Sequence, residues 1–164
     1  MKSIIKAFSI LFTVALLILS LVGCGKDTNK DSSSAGSINN NQNVEYKDGE
    51  YSASAPNYDD SGFKATVKLV IKDGAIVSID CDAKSKDEGT KKALSESGHY
   101  NMKTAGAQYD WHEEIALFER YVVSEGINSV TLNSNGKTDV ITGCTIKVAD
   151  YVDLINEALD KAKK

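Results

Sequence analysis

FKATVKLVIKDGAIVSIDCD, residues 63–82, decides the fold. Phe63, Ala65, Val67, Leu69 and Ile71 alternate with Lys64, Thr66 and Lys68, the period-2 pattern of a strand with one wet face. Asp73-Gly74 then supplies a two-residue turn, because both central positions of a type I′ hairpin need positive φ. The return strand puts Val77, Ile79 and Cys81 on one face, with Ser78, Asp80 and Asp82 on the other. Upstream, Tyr51, Ala53 and Ala55 alternate against Ser52 and Ser54, which reads as a third strand. Three antiparallel strands with one apolar face need a cover.

Helices downstream provide it. Lys84 to Gly98 is polar, with a short helix expected around Thr90 to Glu96, and Gly98-His99-Tyr100-Asn101-Met102 and Gly106 to Tyr109 read as an aromatic-bearing loop. Asp110 followed by Glu113 makes a capping-box start, after which Trp111, Ile115, Phe118 and Val122 share one helical stripe and Gly126 is the natural stop. The closing segment carries Val148, Tyr151, Leu154, Ile155 and Ala158 at helical spacing. It ends in Lys161, Lys163 and Lys164, which suit the negative end of a helix. The predicted class is α+β, an antiparallel sheet built from hairpins and covered by two longer helices.

Between these helices, Val130 to Asn133, the turn Asn135-Gly136 and Lys137 to Ile141 suggest a second hairpin. Its exit is Asp139-Val140-Ile141-Thr142-Gly143-Cys144-Thr145-Ile146. These residues read as a strand end, a tight turn at Gly143 and a hydroxyl-bearing residue at a helix start, where unpaired N–H groups and the macrodipole favour a phosphate. A plainer reading is that Thr142 or Thr145 N-caps the last helix.

The stretch resembles the flavinylation motif of the FMN-binding domain family, Asp-x-x-[Ser/Thr]-Gly-Ala-[Ser/Thr]. In that family a flavin transferase joins FMN through its phosphate to the last hydroxyl. Asp139, Thr142, Gly143 and Thr145 fall on the pattern, so Thr145 is the implied acceptor and FMN the implied cofactor. Asp139 would help the transferase position a metal-bound flavin donor. Cys144, small and of a type often buried, stands where the family usually has Ala. Gly143 either lets the backbone approach the phosphate or accommodates positive φ. Tyr100, Tyr109 and Trp111 could face the flavin ring, although Trp111 also lies on the apolar stripe. The resemblance covers most of the chain after Tyr46 and is nearest the membrane-anchored lipoproteins of the "major membrane immunogen" group. Flavin-carrying subunits of sodium-pumping redox complexes are more distant.

The first 23 of the 164 residues read as a leader: Lys2 and Lys6 precede an uncharged run from Ala7 to Val22. Leu21-Val22-Gly23-Cys24 looks like a lipobox, which implies that Cys24 is diacylated and anchors the protein on the outer face of a membrane. Residues 24–45 are rich in Ser, Asn, Gly and Asp and read as a flexible linker. Within them, the 19 residues Gly25 to Asn43 reach on the order of 25 Å. Residues 46–164 make one domain. The formal charge of −4 becomes −6 once the two leader lysines are removed, which argues against nucleic acid as a partner. Cys81 and Cys144 are left either to pair in an oxidising exterior or to pack as thiols.

His99 and His112 are far apart in sequence, without Cys or acid ligands at metal-binding spacing, so no metal site is expected. Nothing matches a nucleophile elbow, a catalytic triad or a phosphate-binding glycine loop. The expectation is an extracytoplasmic electron carrier rather than an enzyme with its own substrate. Its partners are the membrane lipid, a flavin transferase and membrane or extracellular redox proteins. The alternative is a surface lipoprotein of the same fold without covalent flavin, serving as a binding or structural module.

Overall fold

A computed structural model describes residues 44–164. The leader, Cys24 and nearly all of the linker lie outside the described residues. The fold is α+β. Strands β1 (Gly49–Ser54), β2 (Phe63–Lys72) and β3 (Ala75–Ser85) form one antiparallel sheet in the order β1-β2-β3. The turn between β2 and β3 has φ of 53° at Asp73 and 76° at Gly74, the positive pair expected of a type I′ hairpin.

The register brings alternate apolar residues into rows across one face. Ala53, Val67 and Cys81 stand side by side, as do Ala65 and Ala83, and Leu69 and Ile79. Val77 departs from its expected place in the core. A bulge between Val70 and Ile71 pairs Val70 with Ser78 but Ile71 with Ile76, so Val77 has no opposite number and is 49% exposed.

Three helices close the apolar face. Helix α1 (Lys91–Glu96) starts at Thr90, whose hydroxyl accepts from the Ala93 N–H. Helix α2 (Trp111–Glu125) opens with the Glu113 carboxylate accepting from the Asp110 N–H at 2.8 Å, and Gly126 ends it. Helix α3 (Ala149–Ala162) lies on β1 and β2, while α2 lies on β3 and α1. Trp111, Ile115, Phe118 and Val122 from α2 meet Tyr151, Leu154, Ile155, Ala158 and Leu159 from α3 in a single core with the sheet. The end of α3 is tied back, since Tyr46 bridges to Lys163 and the Lys161 ammonium donates to the Ser52 carbonyl at 2.8 Å.

The second hairpin does not form. Residues 130–148 run as a looped segment, in which the Asn133 N–H donates to the Lys137 carbonyl at 2.8 Å but no strand pairing continues beyond that turn. The Asn133 side-chain oxygen accepts from the N–H groups of Asn135 and Lys137, closing a local turn in place of strand pairing. Ile141, Cys144, Ile146 and Val148 are buried, which pins the segment to the core without adding a strand.

Phe118 is wholly buried where the sheet and helices meet. Phe118→Ala should lower the unfolding free energy by about 3–5 kcal/mol in urea titrations, whereas a change below about 1 kcal/mol would show that the core is not closed there.

Candidate functional site

The motif segment begins with Asp139, exposed, its carboxylate accepting from the Asn133 amide at 3.5 Å, and Val140, also exposed. Ile141 then enters the core, and its carbonyl accepts from the Cys144 N–H at 3.1 Å. That bond closes a tight turn over Thr142-Gly143, with Gly143 at φ +85°. A Cβ on Gly143 would lie 2.9 Å from the Tyr109 ring and 3.2 Å from a Leu117 methyl. Glycine is therefore required twice, by backbone conformation and by the ring packed against it. The close approach is to Tyr109.

Thr145 does not open the last helix, and neither does Thr142. Helix α3 begins at Ala149 with Val148 as its N-cap, and the Gly136 carbonyl accepts the N–H groups of Val148 and Ala149 at 2.9 and 3.1 Å. A loop carbonyl thus does the work expected of a hydroxyl. Neither a phosphate on that helix terminus nor a threonine cap describes this site.

What holds Thr145 instead is Glu114. This residue sits in the first turn of α2 on the same face as Trp111, Ile115 and Phe118 and is 1% exposed. A carboxylate so placed is costly unless its oxygens are bonded. Its Oε2 accepts from the Thr145 N–H at 2.5 Å and from the Ile146 N–H at 3.0 Å. The Thr145 hydroxyl lies 3.0 Å from both Oε1 and Oε2. Among the described residues no cation pairs with Glu114, so these donors, together with the nearby positive end of α2, are what stabilise its charge. The signal for Glu114 was present in the sequence as the one acid among the apolar positions of the α2 stripe.

Two depressions flank the segment. An open apolar groove of about 790 Å³ runs between Val77–Ile79 at the β3 edge and the outer face of α2, and reaches Val140, Ile141 and Thr142. A more enclosed cavity of about 490 Å³ reaches Ile146 and Lys147 on the other side. Its wall includes Phe63, Tyr100, Trp111 and Tyr151, with the Lys91 ammonium 4.6, 4.7 and 5.3 Å from the ring centres of Phe63, Tyr100 and Trp111. Of the three aromatic residues singled out in the sequence, Tyr100 borders this cavity edge-on to Phe63 at 5.7 Å. Tyr109 covers Gly143, and Trp111 is a core residue that also lines the cavity.

Cys144 is 4% exposed, and burial, with the Glu114 charge adding to it, pushes its thiol up to about 11. Cys81 is also a free, buried thiol, raised well above the ordinary range by burial first and by Glu119 second. Cys144 faces inward, so the accessible part of the motif is made by Asp139, Val140, Thr142 and Thr145.

Two measurements check this geometry. Gly143→Ala should cost about 2–4 kcal/mol in urea unfolding, from positive φ plus overpacking against Tyr109. Gly106→Ala, at φ +90° with open space around it, should cost only about 1–2 kcal/mol, and equal losses would remove Tyr109 from the account. In the native protein at neutral pH, Cys81 and Cys144 should resist a thiol reagent and react only on denaturation; fast native labelling of Cys144 would contradict its burial.

No protein-family model matches the chain, and no curated protein does. Among solved structures, it is similar to a protein from Clostridium thermocellum determined by solution NMR. The identity is 43%, covering 72% of this chain and 93% of that one, with a TM-score of 0.54. It is also similar to a crystal structure of a Clostridium perfringens protein at 23% identity, covering 71% and 88% of the two chains with a TM-score of 0.57; that likeness is one of fold. On the strength of 43% identity across nearly the whole of the Clostridium thermocellum protein, the chain belongs to the same family as that protein.

Proposed function

We propose that the chain is a membrane-tethered flavoprotein that relays electrons outside the cytoplasm, with FMN joined through its phosphate to Thr145 and lipid on Cys24 as its anchor. One observation supports this reading above the others. Both motif threonines are exposed residues, yet Thr145 alone has its hydroxyl oxygen held by a buried carboxylate, while Thr142 makes no side-chain hydrogen bond to another described residue. The residue expected to be modified is therefore the exposed threonine whose hydroxyl is also oriented.

The surroundings suit such a group. The cavity beside Ile146 lies within the roughly 300–1,000 Å³ usual for small-molecule sites. Tyr100, Tyr151 and Trp111 would offer flat apolar surface to a ring, and Lys91 and Lys147 positive charge to an anionic group. FMN supplies the redox chemistry, since a flavin takes two electrons or passes one, and the protein's part is to hold it and set its surroundings. Covalent attachment keeps the cofactor from diffusing away in an extracytoplasmic setting. Cys144 in place of the usual Ala leaves the accessible face of the motif unchanged, because its side chain is buried. Donors would be a membrane redox complex or a quinone-linked carrier, and acceptors another flavin domain or an external oxidant.

A second reading keeps the fold and the anchor but not the flavin, leaving a binding or structural module at the cell surface. The feature that favours it is the Glu114 charge, beside which a phosphodiester would place a second negative charge. Intact mass after co-expression of the full chain with a flavin transferase separates the two. The flavoprotein reading expects an FMN-sized increase and a band fluorescent in denaturing gels, abolished by Thr145→Val and kept by Thr142→Val. Unmodified mass in the wild-type chain would leave the second reading standing.

A further inference from the structure

We infer that Glu114 takes the hydroxyl proton of Thr145 as that oxygen is esterified, so that the acceptor protein supplies the catalytic base of its own modification. The inference rests on the flavin-carrier reading. A threonine hydroxyl is a weak nucleophile near neutral pH and needs an adjacent base. Transfer also needs a donor in which the flavin phosphate carries a good leaving group, and a phosphoanhydride such as a flavin dinucleotide, held by the transferase, has one. Thr145 Oγ1 then forms the new O–P bond and the anhydride P–O bond breaks. The nucleoside monophosphate departs with the electron pair, and the hydroxyl proton passes to Glu114 and on to solvent.

The geometry distinguishes a base from a mere clamp. Both backbone N–H donors, from Thr145 and Ile146, bond to Oε2. Oε1 has the Thr145 hydroxyl as its one hydrogen-bond partner among the described residues, at 3.0 Å. The hydroxyl also lies 3.0 Å from Oε2, so Oε2 is shared between the loop's N–H groups and the proton while Oε1 is left to the proton. Reach is the first requirement of a general base, and at this distance it is met. The carboxylate also lies on a helix packed into the core beside Ile115 and Phe118, so its position is set before any partner arrives. Thr142 has no such neighbour, which accounts for selection of one hydroxyl over another three residues away.

Glu114→Gln is the informative variant. Its amide oxygen can still accept the two N–H groups, and its NH₂ can donate to Thr145 Oγ1, so the loop is retained and the base is lost. Flavin incorporation by the transferase, followed by intact mass, should slow by about 100-fold or more, with the circular-dichroism spectrum unchanged. Between about pH 7 and 9 the ratio of wild-type to variant rates should narrow roughly tenfold per unit as hydroxide replaces the missing base. The transferase's own titrations cancel in that ratio. Equal rates in the two chains, or a ratio independent of pH, overturn the inference while leaving the flavin reading intact. A wild-type chain that gains no flavin overturns the reading and the inference together. If the variant does not fold, Glu114→Asp replaces it: drawing the carboxylate back from Thr145 Oγ1 should slow incorporation by about tenfold or more, by a ratio that narrows between about pH 7 and 9, and equal rates in the two chains overturn the inference.

Discussion

The bond set around one buried carboxylate holds the candidate site together. Glu114 projects from the core face of α2, and its charge is tolerable there because the Thr145 and Ile146 N–H groups and the Thr145 hydroxyl converge on it. Hydrogen bonds to a charged group contribute roughly 1.5–3 kcal/mol each, while an orphaned buried charge costs more than any one of them returns. Helix and loop are therefore mutually dependent. A second latch, the Tyr109 ring packed on Gly143, works by shape rather than charge and fixes the same segment from the preceding loop. Together they leave an eight-residue stretch without regular secondary structure well defined at its exposed hydroxyl.

The sheet's free edge is managed by the same helices. Among the described strands β3 pairs with β2 alone, and apart from a bridge from Lys84 to Thr90 its outer edge would present open N–H groups. The Glu119 carboxylate accepts from the Cys81 N–H at 2.6 Å and pairs with the Lys92 ammonium at 2.7 Å, which also reaches Asp80 at 2.5 Å. Burial raises the Glu119 carboxyl in spite of its Lys92 partner. Side chains from α1 and α2 thus close the edge at Cys81, while nearer the hairpin it stays open as the apolar wall of the groove at Val77 and Ile79. The segment once expected to pair as a second hairpin passes along the far side of that groove.

On the proposed function, the division of labour follows from these positions. Lipid and linker would keep the domain within a short distance of the membrane. The core supplies a rigid floor, and the motif loop carries the hydroxyl at its surface. The acidic composition disfavours nucleic acid as a partner.

The residues by themselves determined the strands, the Asp73-Gly74 turn and the two long helices, because each is written in a local pattern. Alternation marks Phe63 to Cys81, a capping pair and an apolar stripe mark Trp111 to Val122, and the spacing from Val148 to Ala158 marks the last helix. The same local reading misplaced Val77, since a bulge depends on how two strands meet. It also made a hairpin of residues 130–141, where the Asn133 side chain captures the Lys137 N–H that a ladder would use. The motif gave the identity of Thr142, Gly143 and Thr145 but not their setting. Only the tertiary structure decided that α3 is capped by the Gly136 carbonyl, that Gly143 lies under Tyr109 and that Thr145 answers to a carboxylate 31 residues earlier in the chain. Contacts of that range are set by how α2 packs on the sheet, and no periodicity within either segment encodes them.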